Sequence, residues 1–492
     1  MLIGLLLFAP AILIGWSVVR VLLTGLVKAP RRWVWMGALL EIALGTGVGI
    51  GIVSIVFFAL LWAGVTGRAV LLSAEAAMAA CGVWLAIRRR PASKSEPVPA
   101  AQSPWIWLLR AAAVLVLLFF ALDAAKSLQA DPNGGWDAFT IWNVKAKYLA
   151  GGPLTWRNAL APVAGPRGAL FGANHPGYPL LLPSAVASAW SVQGETVSST
   201  PAALSMLFAF ATAAMLCGAV AWLRGEAAGL LALLLLLASE GFASQAGSEN
   251  ADIPLSLYLL ATLALIALAG DHGWPGGTLL LAGFCCALAP WTKNEGWPFF
   301  ILALAVVAWI AGRKAAGWMA LGAVPAVALL AAFKILLVHD TEGLFPKTLG
   351  QALAEALDVS RWMKIAGSFV ESIWQMGTPW AHPVLLVAIL ALALGLASRD
   401  RLRQPMWLAI PVVGLLAADF LIYLITTADL TWQLSTSNLR IIVQVWPALL
   451  LLAFLLIAPP ALPGASSLEV PRAARAKADR KRSKGSRAVH VK

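Results

Sequence analysis

Residues 200–223, TPAALSMLFAFATAAMLCGAVAWL, run 24 residues without a charge and stop at Arg224. As a helix rising about 1.5 Å per residue this stretch is about 36 Å long, more than the roughly 30 Å hydrocarbon core of a bilayer. The rest of the chain has the same texture. Of its 492 residues 60% are hydrophobic and 12% charged, where soluble domains run at about half apolar and about a quarter charged. No stretch alternates polar and apolar residues as a barrel strand does, so the spans are helices, which satisfy their backbone groups internally. The sequence therefore predicts an all-α, polytopic integral membrane protein.

Thirteen stretches read as spanning helices, at about 2–27, 33–63, 69–87, 105–125, 200–223, 227–243, 251–270, 277–291, 297–312, 315–338, 379–398, 405–428 and 440–460. Basic residues follow the odd-numbered spans: Lys28, Arg31 and Arg32, then Arg88 to Arg90, Arg224, Arg313 and Lys314, and Arg399, Arg401 and Arg403. Cytoplasmic loops are rich in Lys and Arg. If the spans alternate, all these sites share the cytoplasmic side, the N-terminus lies outside and the C-terminus inside, and the expected location is the inner (plasma) membrane. The first stretch lacks a basic leader and a small-residue cleavage site and reads as a retained span. The organisation expected is a three-span unit at 1–90, a proline-containing cytoplasmic linker at 91–104, a main membrane unit at 105–460 and a basic cytoplasmic tail at 461–492. Outer loops fall at about 126–200 and 339–378.

The formal charge of +13 is concentrated in that tail, where Pro471–Lys492 carries nine Lys and Arg against Asp479. Such a run is attracted to anionic membrane lipids. No aromatic residue is interleaved to stack on bases, so a nucleic-acid partner is not expected. Cys81, Cys217, Cys285 and Cys286 lie in apolar stretches without metal-ligand spacing and read as packed thiols.

Within the first outer loop, Asp137–Ala150 (DAFTIWNVKAKYLA) reads as an amphipathic juxtamembrane helix whose Phe139, Trp142 and Tyr148 suit headgroup depth. The run from Pro176, PGYPLLLPSAVASAW, reads as a helix lying along or dipping into the outer leaflet. Five outer clusters then carry chemistry. Asp137, after Gly134 and Gly135, suits a helix N-cap and equally a general base. Glu249 and Asp252 suit a helix start with Pro254 in its first turn, or a divalent-metal site. Lys293 either pairs with Glu295 or holds a phosphate. His175 and Tyr178 lie in the Asn174–Pro179 run, with His175 otherwise a surface histidine. Arg440, closing WQLSTSNLR, either snorkels or grips a phosphate.

These residues resemble those of the GT-C class of membrane glycosyltransferases, which includes protein O-mannosyltransferases and lipid A aminoarabinose transferases. The resemblance covers about residues 105–460. Asp137 stands at the family's first-loop aspartate, and His175–Pro176–Gly177–Tyr178–Pro179 at a motif resembling Lys-Pro-Pro-Leu-Tyr. Asp252 with Pro254 and Glu249, the Thr292–Lys293 pair, and Arg440 match further family positions. Two departures stand out: the usual Asp-Glu pair is Asp137–Ala138, and the usual lysine is His175.

The resemblance implies inverting transfer from a polyprenyl-phosphate sugar donor to an envelope glycan, lipid or protein acceptor. Asp137 would be the base, with Glu249 and Asp252 as further acidic site residues. His175, Lys293, Arg440 and Tyr178 would hold the donor phosphate, and a divalent metal ion at Glu249 and Asp252 is a candidate cofactor. A transporter or flippase of a lipid-linked or small polar substrate is the rival expectation, on proline-broken spans such as 277–291 and on Asp419 within span twelve. A non-catalytic scaffold leaves the outer clustering unexplained.

Overall fold

The computed structural model describes residues 2–23, 34–88, 103–160, 175–338, 348–378 and 381–460. Residues 89–102 (most of the linker), the basic tail, Asn174 and the Lys28–Arg32 charges lie outside the described residues. The described chain is helical, with no strand beyond an isolated backbone bridge between Leu396 and Ile457. It begins with α1 (Leu2–Leu7), α2 (Ala9–Leu22), α3 (Val34–Trp62), α4 (Arg68–Arg88) and α5 (Pro104–Ala130). The segment between α5 and the next long helix contributes α6 (Asn143–Ala150) and α7 (Leu181–Gln193). Then come α8 (Ser199–Arg224), α9 (Glu226–Leu237), α10 (Glu240–Ala246), α11 (Asp252–Asp271), α12 (Gly276–Thr292), α13 (Gly296–Ala311) and α14 (Arg313–Leu336). The chain continues through α15 (Leu349–Leu357), α16 (Val359–Trp374), α17 (Pro383–Leu394), α18 (Arg399–Ile425) and α19 (Leu430–Leu456).

Eight of these helices are long and apolar enough to cross a membrane: α3, α4, α5, α8, α11, α14, α18 and α19. A ninth is the pair α9 and α10, bent by 71° at its break. Four further apolar helices, α2, α12, α13 and α17, are shorter than a full span. Each expected span falls on one of these helices or on the bent pair. The last helix starts earlier than expected, at Leu430, so WQLSTSNLR is helical and Arg440 lies more than two turns inside α19.

The centre of the bundle is α11. It is apolar all round, and every residue from Asp252 to Ala269 is buried, as expected for a helix with no polar face to turn outward. It packs on α8, α12 and α19. Between apolar helices in lipid, close approach depends on small residues. A Cβ on Gly283 of α12 would stand 1.7 Å from the Met319 carbonyl of α14, and one on Gly49 of α3 would stand 1.7 Å from the Ala11 carbonyl of α2. These glycines set the backbone contacts of their helix pairs. At the rim, α5 exposes Leu115, Leu118, Phe119 and Leu122, a face suited to lipid.

Contacts sort the helix ends into two layers. At one, Arg224 donates to the Phe454 and Leu455 carbonyls that end α19, Arg110 pairs with Glu226 at 2.6 Å, and Gln404 donates to the Ala267 carbonyl at 2.9 Å. At the other, Arg361 donates to the Leu424 carbonyl at 2.9 Å, and Lys334, at the end of α14, donates to Asn294 Oδ1 at 2.8 Å. By helix direction Arg88, Arg313, Lys314, Arg399, Arg401 and Arg403 belong with the first layer, and the candidate site residues with the second.

The first outer loop differs from its expected surface helices. Trp142 is 2% exposed and stacks on Tyr178 with ring centroids 5.6 Å apart, so it sits inside the protein and not among headgroups. The Asp137–Ala150 helix contains a π-helical turn at Ala138–Trp142 before α6. Residues Leu181 to Trp190 of α7 are all buried, with α7 packed on α3 and α6. A run of small and apolar residues without a polar face needs cover on every side, which α3 and α6 help to supply. The strongly amphipathic pair is instead α15 and α16, in the second outer loop, where Leu349, Leu353 and Leu357 recur on one exposed face.

Candidate functional site

The site is assembled from ends of helices. Asp252 opens α11 at the middle of the bundle and is fully buried. An ionised carboxylate there is tolerable only with counter-charges and hydrogen bonds, and the neighbouring elements supply both. Arg440 of α19 donates through Nε to Asp252 Oδ2 at 2.8 Å. Lys293, just past the end of α12, donates to Asp252 Oδ1 at 3.1 Å. Gln444, one turn beyond Arg440, donates to the same oxygen at 2.6 Å.

The network extends outward on both sides. Arg440 Nη1 pairs with Asp137 Oδ2 at 2.6 Å, and Lys293 pairs with Glu295 at 3.1 Å. Asp137 thus bridges to Arg440, and neither it nor Asp252 makes a helix-capping bond. The Asp137 side chain is 28% exposed while that of Asp252 is wholly covered. Of the two carboxylates on Arg440, Asp137 is the one a substrate can reach.

The His175–Tyr178 turn joins the same assembly indirectly. Lys145 donates to the carbonyls of His175 at 2.6 Å and of Pro176 and Tyr178 at 3.3 Å. Lys334 reaches both the Gly177 carbonyl and Asn294, next to Lys293. Tyr178 is sandwiched between Trp142 and the His175 ring, whose centroid lies 4.9 Å away. His175 is therefore a packed part of this turn and not an open surface histidine. It also holds a left-handed φ of 53°, and Glu249 one of 58°. For side chains such conformations cost on the order of 1–3 kcal/mol and tend to gather at functional sites.

Glu249 stands apart from the cation cluster. It is 5% exposed, and its Oε2 accepts from Asn143 Nδ2 at 2.7 Å. Its other oxygen is buried without a partner. Burial pushes the Glu249 carboxyl up to about 7, against the pull of the Asn143 amide. An unfolded Glu ionises near about 4.3, so between that pH and about 7 the folded chain holds the extra proton. Stability then falls as pH rises through this window. Glu249→Gln cannot ionise and should flatten the slope, gaining up to about 3 kcal/mol relative to the parent above pH 7. Unfolding midpoints of both proteins in detergent at pH 5 and pH 8 measure this; a parent midpoint that does not fall relative to the variant at pH 8 contradicts it.

Glu249 and Asp252 do not form a shared metal site. Asp252 carries Arg440 on one oxygen and Lys293 with Gln444 on the other, while Glu249 bonds Asn143. Among the described residues no three His, Cys, Asp or Glu side chains are grouped for ligation. A hard cation needs open oxygen ligands, and this donor set does not fit one.

The geometry brings Asp137, Asp252, Lys293 and Arg440 into direct contact, and His175 and Tyr178 into the adjoining wall. It also recruits residues that sequence reading passed over: Gln444, Asn143, Lys145 and Lys334. Compared with protein-family models, curated proteins and solved structures, the chain matches none of them.

Proposed function

We propose that this protein is a GT-C-type membrane glycosyltransferase with thirteen membrane crossings, its N-terminus and site at the outer face of the inner membrane and its C-terminus in the cytoplasm. It would move a sugar from a polyprenyl-phosphate donor to an envelope glycan, lipid or protein acceptor. The observation carrying this reading is the single network Asp137–Arg440–Asp252–Lys293, drawn from four separate segments to one end of the bundle. The basic residues of the opposite layer support the orientation.

In the proposed reaction the acceptor hydroxyl oxygen bonds to the sugar's anomeric carbon from the face opposite the leaving group. Asp137 takes the hydroxyl proton. The bond from the anomeric carbon to the phosphate oxygen breaks, and its electron pair leaves on polyprenyl phosphate, which inverts the anomeric centre. A guanidinium has five N–H donors, and Arg440 uses Nε and Nη1 on the two carboxylates, leaving further donors for a phosphate oxygen. Lys293 adds charge behind it, and the aromatic turn with His175 and Tyr178 forms the wall. Positioned charge of this kind is commonly the largest contribution to catalysis.

A transporter is the rival, favoured by Asp419. It is 3% exposed within α18, with one oxygen lacking a partner. Purified protein in detergent micelles separates the two. Given a polyprenyl-phosphate sugar and an envelope acceptor fraction, it should release polyprenyl phosphate with no sealed compartment present. Substrate movement only in sealed vesicles, without release, would establish the transporter instead.

A further inference from the structure

The segment that carries Asp137 also forms one wall of a groove, lined by none of Asp137, Asp252, Lys293 and Arg440. It has two lobes of about 420 Å³ and about 440 Å³, each within the roughly 300–1,000 Å³ of small-molecule sites. Lys147, Trp190 and Thr196 line both lobes, so the lobes adjoin. The inner lobe is walled by Asn133, Phe139, Thr140 and Asn143, from the segment that carries Asp137. From Asn143 and Pro201 a cleft of about 10 Å³ leads on to Glu249, room for about one water molecule. The outer lobe is lined by Thr66, in the turn between α3 and α4, by Arg68, the first residue of α4, and by Glu195.

The chemistry of the walls selects a ligand class. Hydroxyls of Ser191, Thr196 and Ser198 and the Asn133 amide offer both donors and acceptors, and Thr140, whose hydroxyl donates to the Trp136 carbonyl, adds an acceptor, matching a molecule rich in hydroxyls. Arg68 and Lys147 are exposed in the groove, and neither forms an ion pair among the described residues. Among the described residues Glu195 is the one acid lining either lobe, against Arg68 and Lys147, so this lining carries a net positive charge, unlike the cation cluster, where each cation faces carboxylates.

We propose that this groove binds the acceptor, and that the acceptor is an anionic, polyhydroxylated molecule such as a phosphorylated saccharide. The proposal rests on the transferase reading. The anionic group lies against Lys147 and Arg68, and the accepting hydroxyl enters the inner lobe beside Asp137. The N-terminal three-span unit thereby acquires a role, since its α3–α4 turn and the start of α4 supply part of the lining and one of the two cations.

Equilibrium binding to the full-length protein tests this. The protein is placed in nanodiscs of zwitterionic lipid, with and without phosphatidylglycerol. The probes are a phosphorylated disaccharide and the same sugar unphosphorylated. The phosphorylated sugar should bind roughly tenfold tighter, the scale of one or two charge-assisted hydrogen bonds. Lys147→Glu and Arg68→Glu, both at exposed positions, should abolish that advantage without moving the unfolding midpoint, and Asp137→Asn should retain it. Absence of binding to the parent protein, or an advantage surviving both reversals, overturns the groove. Displacement of the sugar by phosphatidylglycerol overturns it too, because the occupant is then a lipid headgroup. Donor breakdown in the same preparation is read separately. Binding without release of polyprenyl phosphate removes the transferase and keeps an anionic-sugar site, whereas release without binding removes the groove alone.

Discussion

Asp252→Asn should lower the stability of the folded protein by about 3 kcal/mol. Removing one partner of a buried ion pair costs about 3–5 kcal/mol because the other charge stays buried without compensation. Asp252 is fully covered and answers two cations, with side-chain exposures of 7% for Lys293 and 17% for Arg440. The lower end of the range applies because Lys293 keeps Glu295 and Arg440 keeps Asp137. Adding Lys293→Met to Asp252→Asn removes one stranded cation and should recover part of the loss. Denaturant unfolding of the parent, the two single variants and the double variant yields the coupling directly. A single-variant loss under about 1 kcal/mol would mean that water reaches this cluster. Activity should also vanish in Asp252→Asn, since Arg440 loses the anchor that holds it beside Asp137.

The fold was largely legible because membrane helices announce themselves through length and composition alone. The helix at 200–223 needed only its missing charges. The site residues Asp137, Asp252, Lys293 and Arg440 were visible for the converse reason: charges bordering apolar runs are costly unless used. What escaped was the partnership among them. Gln444 stands four residues after Arg440, on the same helix face, and that spacing could have placed it in the network. Nothing local marks Asn143 as the partner of Glu249, 106 residues away. The enclosure of α7 by protein was not legible, because an apolar run too short to span reads the same whether the helix meets the leaflet or is covered by neighbouring helices. The π-helical turn at Ala138–Trp142 has no sequence signature here, yet it lies directly after Asp137, where such turns often accompany function.

Asp137→Asn should separate catalysis from stability, which Asp252 cannot do. The substitution preserves size and leaves Arg440 its bond to Asp252. Asp137 is 28% exposed, and partly exposed ion pairs contribute about 0–1 kcal/mol, so the unfolding midpoint should barely move. Loss of a general base removes about 10²–10⁴-fold in rate. Initial release of polyprenyl phosphate in detergent, normalised to folded protein, should fall by that factor. The comparison with Glu249→Gln identifies the proton acceptor. Glu249 has the affinity for a proton that suits a base near neutral pH, but its carboxylate is enclosed. Asp137, at 28% side-chain exposure, is open to a substrate. If access governs, Asp137→Asn is inactive and Glu249→Gln changes the rate by a small factor. The reverse pattern would move the base to Glu249 and leave Asp137 as the residue that orients Arg440.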